Sequence, residues 1–201
     1  GGDAADLNQT VRELRQSALT GDIFVTNQGR LRRSDLPEVR LLDSGSFLST
    51  EALVEVAGKA ASPYILLYTK PQPLLPGPWA LERMVQVAGD TGAGLVYSDY
   101  YAMKEGKLHP NPVIDYQPGS LRDDFNFGSV LLFDTTAFEE AVSRMANPFR
   151  YAALYDLRLK VSQRHPVIRI PEFLYTETET DLRRSGEKQF DYVDPRNRAV
   201  Q

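Results

Sequence analysis

Three short loops carry the residues of this chain that could do chemistry: Thr26–Arg33, Thr69–Gln72 and Ser98–Tyr101. Each follows a short apolar run, and in open α/β sheets ligands bind beyond the carboxyl ends of the strands. The first loop holds Asn27. The second holds Thr69, Lys70 and Pro71, and the third holds Asp99 between Tyr97, Tyr100 and Tyr101. A lysine ammonium can meet an anion as a point charge. An aspartate at a strand end either holds a ligand hydroxyl or caps a turn. The tyrosines could stack on a sugar or a base, or pack against one another in a hairpin. Asp156 has Arg158 and Lys160 close by in sequence as ion-pair partners.

Several chemistries are excluded. The chain has no cysteine, so it has no disulfide framework, no thiolate zinc site and no thiol nucleophile. Gly92-Ala93-Gly94 lies after a helix and before a strand, the wrong order for a dinucleotide cradle. His109 and His165 occupy unrelated segments, and each precedes a proline. There is no serine elbow and no His-Glu-x-x-His. With 23 basic and 27 acidic residues the net charge is −4, which argues against a nucleic-acid partner. No apolar run approaches the ~20 residues of a membrane span, so no transmembrane segment is expected in this chain. Gly1–Asp6 is small and acidic, unlike a secretory signal.

The elements that position these loops follow from periodicity. A length of 201 residues suits one domain, and 42% hydrophobic residues can build its core. Leu7, Val11, Leu14 and Ala18 recur at helical spacing, followed by Gly21. Asp22–Thr26 and Val39–Leu42 read as strands. Leu53, Val56, Ala57 and Ala60 mark a second helix. Tyr64–Tyr68 is apolar on both faces, as a buried central strand is. The prolines at 71, 73, 76 and 78 leave no regular element between that strand and the helix carrying Leu81, Met84, Val85 and Ala88. Gly94–Ser98 is a third strand, and Tyr100–Met103 with Lys107–His109 flank a Glu105-Gly106 hairpin. Ser129–Phe133 is a strand, with Thr135 or Thr136 capping the next helix. Leu154, Leu157, Arg158 and Val161 pattern another. Val167–Ile170 and Phe173–Thr176 are short strands around Pro171. Alternation of this kind predicts an α/β fold with a mainly parallel sheet flanked by helices and a small β-hairpin.

The order of these segments carries a resemblance. Leu74-Leu75-Pro76 follows a buried strand. Val96-Tyr97-Ser98-Asp99 precedes the hairpin, and Phe125-Asn126-Phe127-Gly128 precedes the next strand. Tyr155-Asp156-Leu157-Arg158-Leu159 and Ile170-Pro171-Glu172-Phe173-Leu174-Tyr175 complete the series. This order resembles glycosyltransferase family 2, whose members have the GT-A fold of nucleotide-diphospho-sugar transferases. The likeness covers roughly residues 10 to 176. It implies a GT-A-like domain over residues 1–176, its first strand either missing or recast, and a charged C-terminal segment or linker over 177–201.

The resemblance implies sugar transfer from a nucleotide-sugar donor to a hydroxyl acceptor, with these chemistry positions changed. The family's Asp-x-Asp, which holds the divalent metal, falls on Thr69-Lys70-Pro71. The catalytic base falls on Leu154, and leucine accepts no proton. The acid that holds the nucleobase falls near Asn27. No cofactor is therefore expected, and magnesium or manganese only if other residues, such as Asp123 and Asp124, rebuild the site. Lys70 would then meet a diphosphate directly, or stand as an exposed loop lysine. Asp99 would contact donor or acceptor. Arg183 and Arg184 fall where the family places a flexible arm that meets the diphosphate, or form a solvated tail. The site set read from the sequence is thus Asp99, Lys70, Thr69, Asn27, Arg183 and Arg184. The alternative is a non-catalytic GT-A-like binding or scaffolding module of a larger, tandem glycosyltransferase, beside an adjacent transferase domain. Nucleotidyl transfer is disfavoured, since no glycine-rich loop follows the first strand. The expected location is cytoplasmic, at the inner face of a membrane through regions outside this sequence.

Overall fold

The computed structural model describes residues 4–26, 36–42, 44, 46, 48–118 and 125–178. Their elements are α1 (Ala4–Leu14), β1 (Phe24–Thr26), β2 (Arg40–Leu42), α2 (Thr50–Lys59), β3 (Tyr64–Tyr68), β4 (Leu74–Pro76), α3 (Ala80–Thr91), β5 (Leu95–Lys104), β6 (Lys107–Asn111), β7 (Val130–Asp134), α4 (Thr135–Ser143), α5 (Ala153–Ser162) and β8 (Val167–Thr178). β1 and β2 form a separate two-stranded parallel sheet. The central sheet has the order β3-β7-β5-β8-β4, with β6 paired to the far half of β5.

The local chemistry explains the element ends. The Ser49 hydroxyl caps α2 by accepting from the Ala52 N–H, as short polar side chains do at helix starts. Asp134, rather than Thr135 or Thr136, caps α4 through the Ala137 N–H at 2.9 Å. The β5–β6 turn places Glu105 at φ 48° and Gly106 at φ 77°. Two left-handed residues in succession give the tight turn whose twist matches the strands it joins.

The α/β architecture, with helices on a central sheet and a small hairpin, agrees with the sequence reading. The strand directions correct it. β3, β5 and β8 run one way, and β4, β6 and β7 the other. Within the central sheet only β5 and β8 pair in parallel, so that sheet is mixed rather than mainly parallel. Periodicity reports which residues are buried, not the direction in which a strand is laid down. The proline-dense stretch also forms a strand. β4 is a sheet edge paired only with β8, where a residue without an N–H is tolerated. The two short strands around Pro171 are one strand, β8. Its register against β5 shifts on both sides of Asp99, so Pro171 sits in an irregularity.

Alternation along β5 sorts the core into two faces. Leu95 and Tyr97 pack with Phe138 of α4 and Leu157 of α5. Val96 packs with Met84 of α3 and with Ile170, Leu174 and Tyr175 of β8. Each such side chain contributes about 1.5–3 kcal/mol when fully withdrawn from water. β8 extends through Thr178, so Glu177 and Thr178 belong to the sheet and not to the charged segment that follows. Residues 179–201 lie outside the described residues.

Candidate functional site

On the α3 face, the carboxyl end of β3 meets the ends of β7 and β8. The Thr69 N–H donates to the Ser129 carbonyl at 3.0 Å, continuing the β3–β7 ladder by one step. The Thr69 hydroxyl turns to the same carbonyl at 3.3 Å. Lys70 comes next, and its ammonium pairs with Oε1 of Glu177. The other carboxylate oxygen accepts from the Ser129 hydroxyl. Glu177 is 2% exposed, while the Lys70 side chain keeps 37% of its surface in solvent. The cluster is therefore a buried carboxylate under a cation that reaches the surface.

Tyrosines seal this corner. The Tyr175 hydroxyl accepts from the Ser129 N–H at 2.8 Å, and its ring stacks on Tyr100 with centroids 5.4 Å apart. Burial, helped by the Glu177 charge, pushes the phenols of Tyr68 and Tyr175 well above the usual tyrosine range. Gly128 makes the close approach possible. It has φ +73°, and a Cβ there would lie 2.3 Å from the Tyr175 hydroxyl oxygen.

Asp99 is elsewhere. It lies in the interior of β5, 3% exposed, and shares the α5 face with Leu95 and Tyr97. Arg169 of β8 grips it with two bonds, Nε to Oδ1 at 2.9 Å and NH2 to Oδ2 at 2.8 Å. The Val113 N–H donates to the same carboxylate at 2.9 Å. Arg169 also reaches Asp115 at 3.2 Å, and these carboxylates push its pKa further up. The expectation that Asp99 ends a strand beside Lys70 is corrected: strand alternation puts the two on opposite faces, and each has its own partner. Tyr97 stands edge-on to Phe127 at 4.8 Å, and Tyr101 stacks on Phe173 at 4.6 Å. The tyrosines pack among protein side chains.

The residues at the end of β3 do not fit a divalent metal. Thr69 and Pro71 offer no carboxylate, and Glu177 is already committed to Lys70 and Ser129. A divalent ion about 4 Å from the ammonium would cost about 4 kcal/mol per unit of its charge at an effective dielectric of ~20. Among the described residues no three His, Asp or Glu side chains gather as metal ligands. Leu154, at the position matched to the base, is buried in the first turn of α5 among apolar neighbours. Asp156 pairs with Lys160 at 2.5 Å rather than with Arg158. His165 bonds Glu140 at 3.0 Å, and His109 is exposed on β6. Asn27, Arg183 and Arg184, with Asp123 and Asp124, lie outside the described residues.

Glu177, Ser129 and Arg169 escaped sequence reasoning. For Glu177 a signal was present: the β-favouring run Phe173–Thr176 continues through Thr178. Nothing local marks Ser129 or Arg169, because their partners are 48 and 70 residues away.

No protein-family model and no curated protein matches the sequence. Among solved structures, the chain is similar to S. aureus TarS 1–349 in complex with UDP, with TM-score 0.58 and 10% identity over 89% of this chain and 58% of that one. The same protein in complex with UDP-GlcNAc gives TM-score 0.59 and 10% identity over 88% and 56%. The chain thus spans under two thirds of the TarS structure. No helix among the described residues is long and apolar enough to cross a membrane. The mixed sheet, its flanking helices and these superpositions give the chain a GT-A-like α/β fold.

Proposed function

We propose that this chain is a glycosyltransferase family 2-like domain that binds a nucleotide-diphospho-sugar without a divalent metal. The observation that carries this reading is the Lys70–Glu177 pair at the end of β3, where the family resemblance puts the metal ligands. An ammonium has three N–H donors. One is held by Glu177, and the exposed part of the side chain leaves others free to turn to phosphate oxygens. Glu177 keeps the lysine at the rim, and Ser129 keeps Glu177 in place. The UDP and UDP-GlcNAc complexes of TarS support a nucleotide-sugar as the ligand class.

Transfer itself needs a base to deprotonate the acceptor hydroxyl and a charge to stabilise the departing diphosphate. Lys70 could supply the second. Leu154 cannot supply the first, so transfer would depend on a base from another position or from an adjacent transferase domain. That absence favours, as a second reading, a binding or scaffolding module within a larger glycosyltransferase.

Because the lysine is already neutralised by Glu177, binding should be weak, with a Kd on the order of 0.1–1 mM. Titration calorimetry with uridine, guanosine and thymidine diphosphates, without metal, tests it. One of them should bind, and Lys70→Ala should weaken that binding about tenfold or more. Binding unaffected by Lys70→Ala would remove the lysine from the site. No binding by any of the three would leave the scaffolding reading.

A further inference from the structure

Among the described residues, β3, β4 and β6 are outer strands of the central sheet. β4 pairs only with β8, β6 only with β5, and β3 only with β7. An outer strand presents unpaired backbone groups to any strand that passes, and proteins blunt such edges with prolines, charges or short length. β4 is 3 residues long and ends in Pro76, and β6 carries Lys107 and Pro110. β3 has no such device. Its sequence, Tyr64-Ile65-Leu66-Leu67-Tyr68, holds no charge, no proline and no glycine.

Both faces of β3 are covered, and only its outer edge is open. Ile65 and Leu67 pack on one side with Leu53 of α2. Tyr64, Leu66 and Tyr68 pack on the other with Met84 of α3. The ladder to β7 fixes which backbone groups are left over. The Thr135 N–H donates to the Pro63 carbonyl, and the Thr69 N–H to the Ser129 carbonyl. Antiparallel bonds recur at every second residue, so those between these two fall on Ile65 and Leu67. The N–H and carbonyl groups of Tyr64, Leu66 and Tyr68 therefore point away from β7, and no described residue bonds them.

The geometry points to β3 as the contact of a twofold-symmetric dimer, in which it pairs antiparallel with β3 of a second copy about Leu66. The strand reads nearly the same in either direction. In this register Tyr64 faces Tyr68 of the second copy, Leu66 faces Leu66, and Ile65 faces Leu67. The outward-facing residues 64, 66 and 68 thus meet 68, 66 and 64. Every N–H there finds a carbonyl, one bond for each outward N–H of the two copies. A slip of two residues leaves one tyrosine of each copy unpaired, so the symmetric register is preferred. Apolar side chains meet apolar ones, and Lys70 comes opposite Ser62, so no like charges face each other along the join. A contact of this kind is closed, because it uses up the edge of both copies and stops at two. It is independent of nucleotide-sugar binding at Lys70.

Sedimentation and amide hydrogen exchange of the wild-type chain test the proposal together. A single strand pair is a small contact, so the dissociation constant should be on the order of 0.1 mM. Raising the chain from about 10 μM to about 1 mM should then slow exchange at Leu66 and Tyr68 roughly fourfold. Over the same range the mass should climb toward that of two copies and no further. Ile65 and Leu67, bonded to β7, should exchange equally slowly at both concentrations. Leu66→Pro removes one outward N–H without touching a bond to β7, and should stay monomeric throughout. A wild-type chain that stays monomeric at the higher concentration, or a mass that grows past two copies, would overturn the assignment. So would exchange at Leu66 and Tyr68 that ignores concentration, or a dimeric Leu66→Pro. Should Leu66→Pro not fold, the wild-type exchange pattern decides.

Discussion

Among the described residues each face of the sheet carries one buried carboxylate paired with a cation, and the two pairs differ in how far the cation is enclosed. Asp99 is fixed by a bidentate arginine and a backbone N–H, with 4% and 17% of the two side chains exposed. It ties β5, β8 and the segment around Val113 together. Glu177 is equally buried, but its partner is a lysine with 37% exposure, on a flexible stem and with donors to spare. The first pair is enclosed on the carboxylate side by two arginine bonds and a backbone N–H, and it holds the fold. The second is closed below and open above, which is the geometry on which the proposed ligand site rests. Burial of the acid is therefore the wrong criterion for a site. The free valence of its partner is the better one.

The sharpest way to break this contrast is to remove the acids in turn. Asp99→Ala leaves Arg169 with only the exposed Asp115, and should destabilise the chain by about 3–5 kcal/mol. Urea unfolding measures it, and a loss below 1 kcal/mol would show that the pair is not structural. Gly128→Ala attacks the other face. It drives a methyl into the Tyr175 hydroxyl at a left-handed backbone position, and should cost about 2–4 kcal/mol. Adding Tyr175→Phe should recover part of that cost, because it removes the oxygen in the way. No recovery would mean that backbone strain alone is responsible.

Alkaline pH sharpens the comparison at a smaller scale. Burial lifts the Tyr97 phenol to about 12, and those of Tyr68 and Tyr175 higher still. Folded phenols keep their protons while the unfolded chain releases them near pH 10. Stability is therefore full below pH 10 and declines as pH rises toward the folded values, by about 1.4 kcal/mol per unit for each group. Urea midpoints at pH 9 and pH 11 should differ in that direction, and equal midpoints would show the phenols to be accessible. Glu177→Gln should have the smallest effect, about 1 kcal/mol or less, since Lys70 can turn to water and Ser129 still finds an acceptor. A loss as large as that of Asp99→Ala would erase the distinction between the faces.

The contrast also shows what a sequence can tell. α3 and α5 were legible because their apolar residues repeat at helical spacing, and β3 because its short run is apolar throughout. The Glu105-Gly106 turn was legible because Gly106 readily adopts the left-handed backbone that the turn requires. β4 was missed because prolines argue against strands except at an edge, and edges are set by the whole sheet. The mixed strand directions were missed for the same reason. Thr69 and Lys70 were found by their place after an apolar strand. Their partner Glu177 was assigned to a tail, since the pair joins residues 107 positions apart. Asp99 was placed at a strand end because Tyr100 and Tyr101 read as a separate hairpin strand, whereas β5 runs unbroken to Lys104.

The measurement that goes most directly to the Lys70–Glu177 pair is the manganese dependence of nucleotide binding. The bound diphosphate of the preceding calorimetric panel is titrated into the wild-type chain with and without manganese. If Lys70 stands where the family's metal would be, the two dissociation constants should agree within about twofold, or about 0.4 kcal/mol. Binding tightened tenfold or more by manganese would contradict it, and would mean that carboxylates outside the described residues hold a metal after all.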